Sequence, residues 1–243
     1  MENIIEVKDV EMHFNMSKEK IDNLKEYIIK LAKRQLMYED FTALDKVSVN
    51  VKKGEVFGIV GHNGSGKSTF LKTISGILKP TVGSVKINGS IAPLIELGAG
   101  FDLDLTAREN IYLNGSVLGF SNQMINEKFD DIVEFSELHD FLDVPMKNYS
   151  SGMVARIGFA VATMVKPDIL IVDEILSVGD FLFQQKCEKR INELMEGGTT
   201  VLIVSHVLEQ IRRLCTRVMW LDKGKVKMIG DTKTVCDAYE KGI

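Results

Sequence analysis

The chain has 243 residues, of which 45% are hydrophobic and 26% charged, as in an ordinary soluble globular protein. Its formal net charge of −4 gives no electrostatic reason to expect a nucleic acid partner. The three cysteines suggest neither a disulfide framework nor a zinc site, and no apolar run approaches the roughly 20 residues that span a bilayer. We therefore expect one cytoplasmic domain, residues 1–243; at a membrane, another subunit must supply the crossing.

Two segments near the start alternate apolar and polar residues. They are Ile4–Phe14 and Phe41–Val51, and their valines and isoleucines predict half-buried strands of an antiparallel β subdomain. The intervening residues 15–40 differ in character, because behind a possible Ser17 cap they carry apolar residues at helical spacing. These residues are Ile21, Leu24, Ile28 and Leu31. The sequence therefore predicts a helical insertion over 15–40.

A glycine-rich segment follows a short apolar strand, Glu55–Val60, and opens a predicted helix, Lys67–Leu78. Its glycines let backbone N–H groups and the helix N-terminus surround anionic oxygens. Lys67 is placed to reach the β- and γ-phosphates, and the Ser68 hydroxyl to ligate magnesium. The segment predicts a nucleoside triphosphate site, the alternative being a glycine-rich turn that binds nothing. The predicted binding set is Gly61, Asn63, Gly64, Ser65, Gly66, Lys67, Ser68 and Thr69.

The middle of the chain is predominantly helical. After a short strand, Ser84–Ile87, Thr106 and Glu109 form the pattern of a capping box at the head of a helix. Amphipathic helical patterns continue to about Leu142, and a further helix runs from Ser150 towards Pro167. These patterns predict a helical subdomain over about residues 100–165.

The last third of the chain alternates apolar strands and helices. Ile169–Val172 and Val201–Val204 are continuously apolar, as in strands buried on both faces of a parallel sheet. A final strand pair, Val218–Leu221 and Lys225–Ile229, is joined by a glycine turn. The predicted fold class is α/β, with a doubly wound, mostly parallel sheet as its core.

Two acids end the first of these buried strands. Open parallel sheets bind ligands at this edge, where Asp173 would hold magnesium, through water, and Glu174 would polarise the water that attacks the γ-phosphate. A strand that simply meets solvent is the alternative explanation of this pair. The phosphate-binding segment upstream favours the catalytic interpretation.

The segment Tyr149-Ser150-Ser151-Gly152-Met153, together with the loop and the acid pair, resembles the ATP-binding-cassette (ABC) superfamily over nearly the whole chain. The resemblance implies a homodimer around two ATP molecules, in which Ser150, Ser151 and Gly152 form a signature that meets the ATP of the other subunit. Ser151 stands where glycine is usual and Met153 where glutamine is usual. A helix N-cap without a ligand is the alternative for Ser150.

Further roles follow only from this resemblance. His206 would donate a hydrogen bond to the γ-phosphate, and Ser177 and Asp180 would lie in a dimer-contact loop. Glu96 occupies the position of a glutamine that senses magnesium and the membrane subunit. A carboxylate beside a triphosphate is costly unless it faces magnesium or water.

An aromatic residue near the end of the first strand normally stacks on adenine in this superfamily. Phe14 is the best match, and Tyr38 or Phe41 are alternatives, because the insertion disturbs the spacing.

Three features make the chain similar to the ATPases of bacterial polysaccharide exporters: Glu96, the signature variant and the insertion after Phe14. The resemblance implies ATP and Mg²⁺ as cofactors, two copies of a transmembrane permease as partners, a lipid-linked glycan as substrate and a peripheral location on the inner membrane. Residues Lys18–Arg34 carry six basic and three acidic residues, so the insertion helix can face lipid, the permease or its own subunit. Some exporters add a C-terminal carbohydrate-binding domain, which we do not expect here.

The alternatives are an importer or small-molecule exporter ATPase, a non-transport cassette protein, and a nucleotide-binding regulator without turnover. An importer would keep every catalytic residue named above. Proteins of the second class usually carry a long coiled coil or a second cassette, which this sequence lacks. The presence of Glu174 and His206 disfavours the third.

Overall fold

A computed structural model describes residues 2–17, 38–95, 97–98, 100–173, 180–205 and 207–242. Five predictions fall outside these ranges. They concern the helical stripe of the insertion and the roles of Glu96, Glu174, Ser177 and His206. The side chain of Tyr38 lies outside the described set as well.

Strands and helices alternate along most of the described chain. The strands are β1 (Asn3–Ser17), β2 (Tyr38–Lys52), β3 (Val56–Val60), β4 (Val82–Ile87), β5 (Ile91–Leu94), β6 (Ile169–Asp173), β7 (Thr200–Val204), β8 (Arg217–Asp222) and β9 (Lys225–Asp231). The helices are α1 (Lys67–Ile74), α2 (Ala107–Val117), α3 (Asn122–Ser136), α4 (Ser151–Met164), α5 (Phe181–Glu196), α6 (Leu208–Leu214) and α7 (Thr232–Lys241). Single 3₁₀ turns lie at His139–Phe141 and Met146–Asn148.

The larger sheet has the strand order β5-β6-β7-β3-β8-β9, parallel except for the antiparallel edge strand β9. The inner strands β3, β6 and β7 are almost continuously apolar, as expected for strands covered on both faces. In β6, for example, Leu170 and Val172 pack into one core cluster while Ile169 and Ile171 pack into the other. The predicted fold class, a doubly wound α/β sheet, is confirmed.

The smaller sheet is antiparallel, with the order β2-β1-β4. β1 and β2 are longer than predicted, since Asn15 pairs with Asp40 and Ser17 pairs with Tyr38. The predicted boundaries of the insertion, 15–40, are therefore wrong at both ends. Residues 15–17 and 38–40 satisfy their backbone groups in the strand ladder, which leaves only 18–37 between the two strands.

The helices α2, α3 and α4 form a lobe that packs as one unit with the larger sheet. The capping box at the start of α2 is confirmed. Glu109 N donates to Thr106 Oγ1 at 3.2 Å, and Thr106 N donates to Glu109 Oε2 at 2.8 Å. No helix in the described ranges has both the length and the apolar composition to cross a bilayer.

Candidate nucleotide-binding site

Three neighbouring strands of the larger sheet end at one edge of the molecule. The register aligns Asp173 of β6 with Val204 of β7, and Val204 with Ile59 of β3. The glycine-rich loop starts at Gly61, directly after β3. Parallel strands therefore bring the loop and Asp173 together, although more than a hundred residues separate them in sequence.

The loop can be built only with glycine at two positions. Gly61 has φ 157°, and a Cβ there would lie 2.2 Å from Leu221 O; at Gly66, with φ 102°, it would lie 2.6 Å from Ala43 O. Both clashes are with main-chain oxygens, which cannot rotate away. The loop is thus pressed against β2 and against the end of β8.

The turn between β8 and β9 supports the loop from behind. Gly224 N donates a hydrogen bond to Ser65 O at 2.9 Å, and Asp45 N of β2 donates to Gly224 O at 2.9 Å. The sequence predicted this turn only as a strand connection. Its contact with the phosphate-binding loop had no sequence signal, because the partners are remote in the chain.

Groups suited to an anion converge at the start of α1. This helix has no side-chain cap, so its first N–H groups are available to a ligand. Lys67 is only 8% exposed, and its Nζ donates to Gly61 O at 2.7 Å and to His62 O at 3.0 Å. The Ser65 hydroxyl is buried and has no hydrogen-bond partner within the described residues. This donor set fits a triphosphate.

A cavity of about 460 Å³ opens in front of the loop. Its lining residues are Phe41, Ala43, Asn63, Gly64, Gly66, Lys67, Ser68, Thr69 and Asp173. Gly61 and Ser65 are not among them and lie behind the surface of the loop. Ser68 therefore contributes a hydroxyl and Asp173 a carboxylate to the same cavity. That pair fits Mg²⁺, which takes few protein ligands when phosphate and water supply the rest.

The aromatic residue in this cavity is Phe41. Phe14 is its cross-strand partner, so both rings are on the same face of the β1–β2 pair. Phe14 is half-buried and packs against the core below, whereas Phe41 is 48% exposed and lines the cavity. The geometry therefore favours Phe41, the alternative, over Phe14 as the residue that meets a base.

The signature segment lies outside this cavity. Ser150 is the N-cap of α4, with its Oγ accepting from Met153 N at 3.2 Å. Ser150 and Ser151 are exposed, and a Cβ at Gly152 would meet nothing closer than Ser150 Oγ at 3.8 Å. The capping role is thus present within the subunit, and the first turn of α4 is open to a ligand from outside it.

Asp180 is engaged within its own subunit. Its Oδ1 accepts from Phe183 N at 3.0 Å, which caps α5, and its Oδ2 pairs with Arg156 Nη2 at 2.5 Å. The Phe183 N–H, followed by the Arg156 charge, lowers the pKa of Asp180. Sequence analysis missed Arg156. It stands six residues after Ser150 on the signature helix, and only the fold brings it to Asp180.

The phosphate-binding loop on a doubly wound sheet, with Asp173 beside it, defines a phosphate-loop nucleoside triphosphatase. The ABC transporter family matches residues 44–177. The chain belongs to this family. It is an ATP-binding, ATP-hydrolysing subunit, homologous to the ATPases of polysaccharide exporters.

Several similar proteins are named as ATP-binding proteins of O-antigen or teichoic acid export. The O-antigen export system ATP-binding protein RfbB of Klebsiella pneumoniae is 44% identical, covering 84% of this chain and 82% of that protein. The teichoic acids export ATP-binding protein TagH of Levilactobacillus brevis is 43% identical, covering 98% of this chain and 64% of that protein. TagH of Lactiplantibacillus plantarum is 47% identical, and the matched part is only 55% of its length.

Solved structures agree with the fold. The ATP-binding cassette MJ0796, in a dimeric post-hydrolysis state bound to ADP and Pi, has a TM-score of 0.73 at 24% identity, covering 94% of this chain and 98% of that chain. An ATP-binding subunit of an ABC transporter has a TM-score of 0.75 at 24% identity, covering 98% and 93%. At this identity the likeness concerns the fold alone.

Proposed function

We propose that the chain powers export of a lipid-linked polysaccharide through a separate transmembrane permease. In this proposal two copies of the chain bind two permease subunits at the cytoplasmic face of the plasma membrane. The observation that carries it is the 43–47% identity to O-antigen and teichoic acid export ATPases. The cavity in front of the phosphate-binding loop supports the catalytic part.

In the proposed cycle, residues of one subunit hold the triphosphate. Lys67 and the N–H groups of α1 neutralise the phosphates, and Phe41 covers the base. Magnesium, when bound through Ser68 and Asp173, would offset the charge that develops on the phosphate oxygens. Glu174 polarises water, and His206 contacts the γ-phosphate.

The second copy completes the site. Ser150 and Gly152 do not line the cavity of their own subunit, yet the first turn of α4 presents a hydroxyl and N–H groups to solvent. A second subunit that brings this turn against the γ-phosphate supplies the missing contacts. ATP binding then closes the dimer, and hydrolysis reopens it.

An apolar groove between the lobe and the sheet is suited to the permease. It encloses about 280 Å³ and is lined by Ile77, Pro93, Ile95, Leu97, Gly98, Gly100, Asn114, Val117, Leu118, Gly158 and Ala162. Ile77 is 59% exposed and Val117 is 68% exposed, so the groove has apolar side chains that a permease segment can cover. A Cβ at Gly158 of the signature helix would lie 3.0 Å from Gly98 N. A permease segment in this groove would therefore press on the signature helix.

The decisive experiment replaces the chromosomal gene with Glu174→Gln. We expect lipid-linked glycan to accumulate inside the cell and the purified variant to collect as an ATP-bound dimer without turnover. Glu196→Gln, an exposed acid at the end of α5, is the matched control and should export normally. Normal surface glycan in the Glu174→Gln strain, with loss of uptake of some other solute, would move the chain to the importer class.

The groove is tested with Val117→Asp. The isolated variant should keep its ATPase activity, while the permease no longer co-purifies with it from membranes. Val82→Asp changes an equally apolar exposed side chain away from the groove and should leave co-purification intact. Retention of the permease by Val117→Asp would place the docking surface elsewhere.

The insertion can be removed without breaking the sheet. Ser17 and Tyr38 are paired, so an Asn-Gly turn in place of residues 18–37 closes the hairpin. We expect this variant to hydrolyse ATP normally and to export poorly, because the insertion is proposed to act on the lipid-linked substrate or the permease. Normal export would remove the insertion from the transport mechanism.

A further inference from the structure

One arginine joins three helices beside the signature. Arg156 of α4 pairs through Nη1 with Glu137 Oε2 at 2.6 Å and through Nη2 with Asp180 Oδ2 at 2.5 Å. Its guanidinium also stacks over the Phe183 ring, 4.5 Å from the centroid. The Arg156 side chain is only 16% exposed, so these contacts are partly shielded from water. We call Arg156, Glu137, Asp180 and Lys186 the junction.

Each acid of the junction is itself held in place. Glu137 ends α3 in the left-handed conformation, with φ 60°, and also pairs with Lys186 Nζ of α5 at 3.0 Å. Asp180 is fixed as the N-cap of α5 through Phe183 N. Because both carboxylates have a set direction, the planar fork of Arg156 can satisfy them in one orientation of α4.

The junction connects segments that serve different nucleotides. The N-terminus of α4 carries Ser150, which in the proposed dimer contacts the ATP of the other subunit. The N-terminus of α5 directly follows residues 174–179, which carry Glu174 for the ATP of the same subunit. A movement of α4 when the signature engages one ATP is therefore transmitted to the segment that hydrolyses the other.

We infer that Arg156 is a positioning residue that couples the two ATP sites of the dimer. The inference rests on the proposed function, since it requires composite sites. The Arg156 side chain does not line the nucleotide cavity, and it acts through its contact with Asp180. Its loss should therefore change cooperativity and turnover while leaving nucleotide binding by one subunit unchanged.

The test compares Arg156→Met with Arg108→Met in the full-length protein. Arg108→Met is the matched control, because Arg108 also pairs with an acid, Asp143 at 2.8 Å, and lies over an aromatic ring, Phe129 at 5.2 Å. These contacts do not join a helix to α5. ATPase rate is measured against ATP concentration, and ATP affinity is measured separately with Lys67→Met as the weak-binding reference. We expect the unaltered protein and Arg108→Met to show a Hill coefficient of about 2, the number of sites.

For Arg156→Met we expect a Hill coefficient near 1, a maximal rate reduced about tenfold, and an ATP affinity within about twofold of that of the unaltered protein. Arg156→Lys keeps the charge but reaches one carboxylate, so it should recover part of the rate and little of the cooperativity. Arg156→Lys also tests the coupling role if Arg156→Met does not fold. If Arg156→Lys, and Arg156→Met where it folds, hydrolyse ATP cooperatively, the coupling role is wrong and the composite site stands. If the unaltered protein itself shows no cooperativity, the composite site is wrong as well.

Discussion

The phosphate-binding loop and the signature segment differ in how much of their structure is used within one subunit. The loop is fixed by main-chain contacts to β2 and to the β8–β9 turn, and its Lys67 is almost fully buried. The signature turn is exposed, and among the described residues the Ser150 hydroxyl bonds to the first turn of its own helix. This difference supports the proposed dimer, in which the loop half binds ATP and the signature half acts against the ATP of a second subunit.

The largest effect is expected from Lys67→Met, which removes a buried cation from the loop. Hydrogen bonds to charged groups contribute about 1.5–3 kcal/mol, so the Kd for ATP of the isolated subunit should rise roughly 10-fold to 150-fold. Equilibrium binding of a fluorescent ATP analogue measures it. Lys79→Met, an exposed lysine beyond α1, should bind normally. Unchanged affinity in Lys67→Met would show that the loop does not act alone.

A smaller effect, confined to turnover, is expected from Ser150→Ala. The matched control is Ser121→Ala, because Ser121 caps α3 through Met124 N at 3.3 Å, much as Ser150 caps α4 through Met153 N at 3.2 Å. Both variants should lose about 1 kcal/mol of stability in denaturant unfolding. Only Ser150→Ala should lose turnover, roughly tenfold, for the lost bond to a phosphate. Equal ATPase rates in the two variants would reduce Ser150 to a helix cap.

Phe41→Ala sharpens the boundary of the loop half. Base stacking on an aromatic ring is worth about 1–3 kcal/mol, and the exposure of Phe41 favours the lower end, about fivefold in the Kd for ATP. Phe14→Ala should instead lower stability with little change in the Kd, because Phe14 packs against the core. The opposite assignment, with the Kd loss in Phe14→Ala, would restore the prediction made from sequence.

The smallest effect concerns acid stability near the signature helix. Hydrogen bonds from Lys186 and then Arg156 lower the pKa of Glu137. A group with a lowered pKa in the folded state stabilises above its unfolded pKa, about 4.3 for Glu, and the gain is lost as pH falls through the folded pKa. The gap in melting temperature between the unaltered protein and Arg156→Met should therefore narrow below about pH 4. A gap independent of pH would assign the loss to packing on Phe183.

Local sequence patterns anticipated what depends on neighbouring residues. The strand–loop–helix around Gly61, the capping box at Thr106 and the alternating cores of β6 each follow from spacing within a few residues. The end of α1 was overestimated, at Leu78 instead of Ile74, because Ser75 and Gly76 close the helix with a left-handed glycine. The sequence analysis does not predict strand β5 or helix α7, since Pro93 and the polar surface of α7 obscure their patterns.

Contacts between distant segments could not be predicted from the sequence. Phe14 and Phe41 are both aromatic residues at the ends of predicted strands. Only the register of β1 and β2 in the structure places Phe41 in the cavity. Nothing in the sequence links Arg156, inside α4, to Asp180, the N-cap of α5, and only the fold brings the two side chains together. A single sequence does not show which distant residues pair, because tertiary packing decides these contacts.

The hydrogen bonds that link Asp45, Gly224 and Ser65 have a consequence for folding during translation. The glycine-rich loop is translated before the turn that braces it, and the two are far apart in the sequence. Chains fold from the N-terminus as they are made, and contacts of such sequence separation form late. A nascent chain can therefore brace its phosphate-binding loop only after the β8–β9 turn has been synthesised.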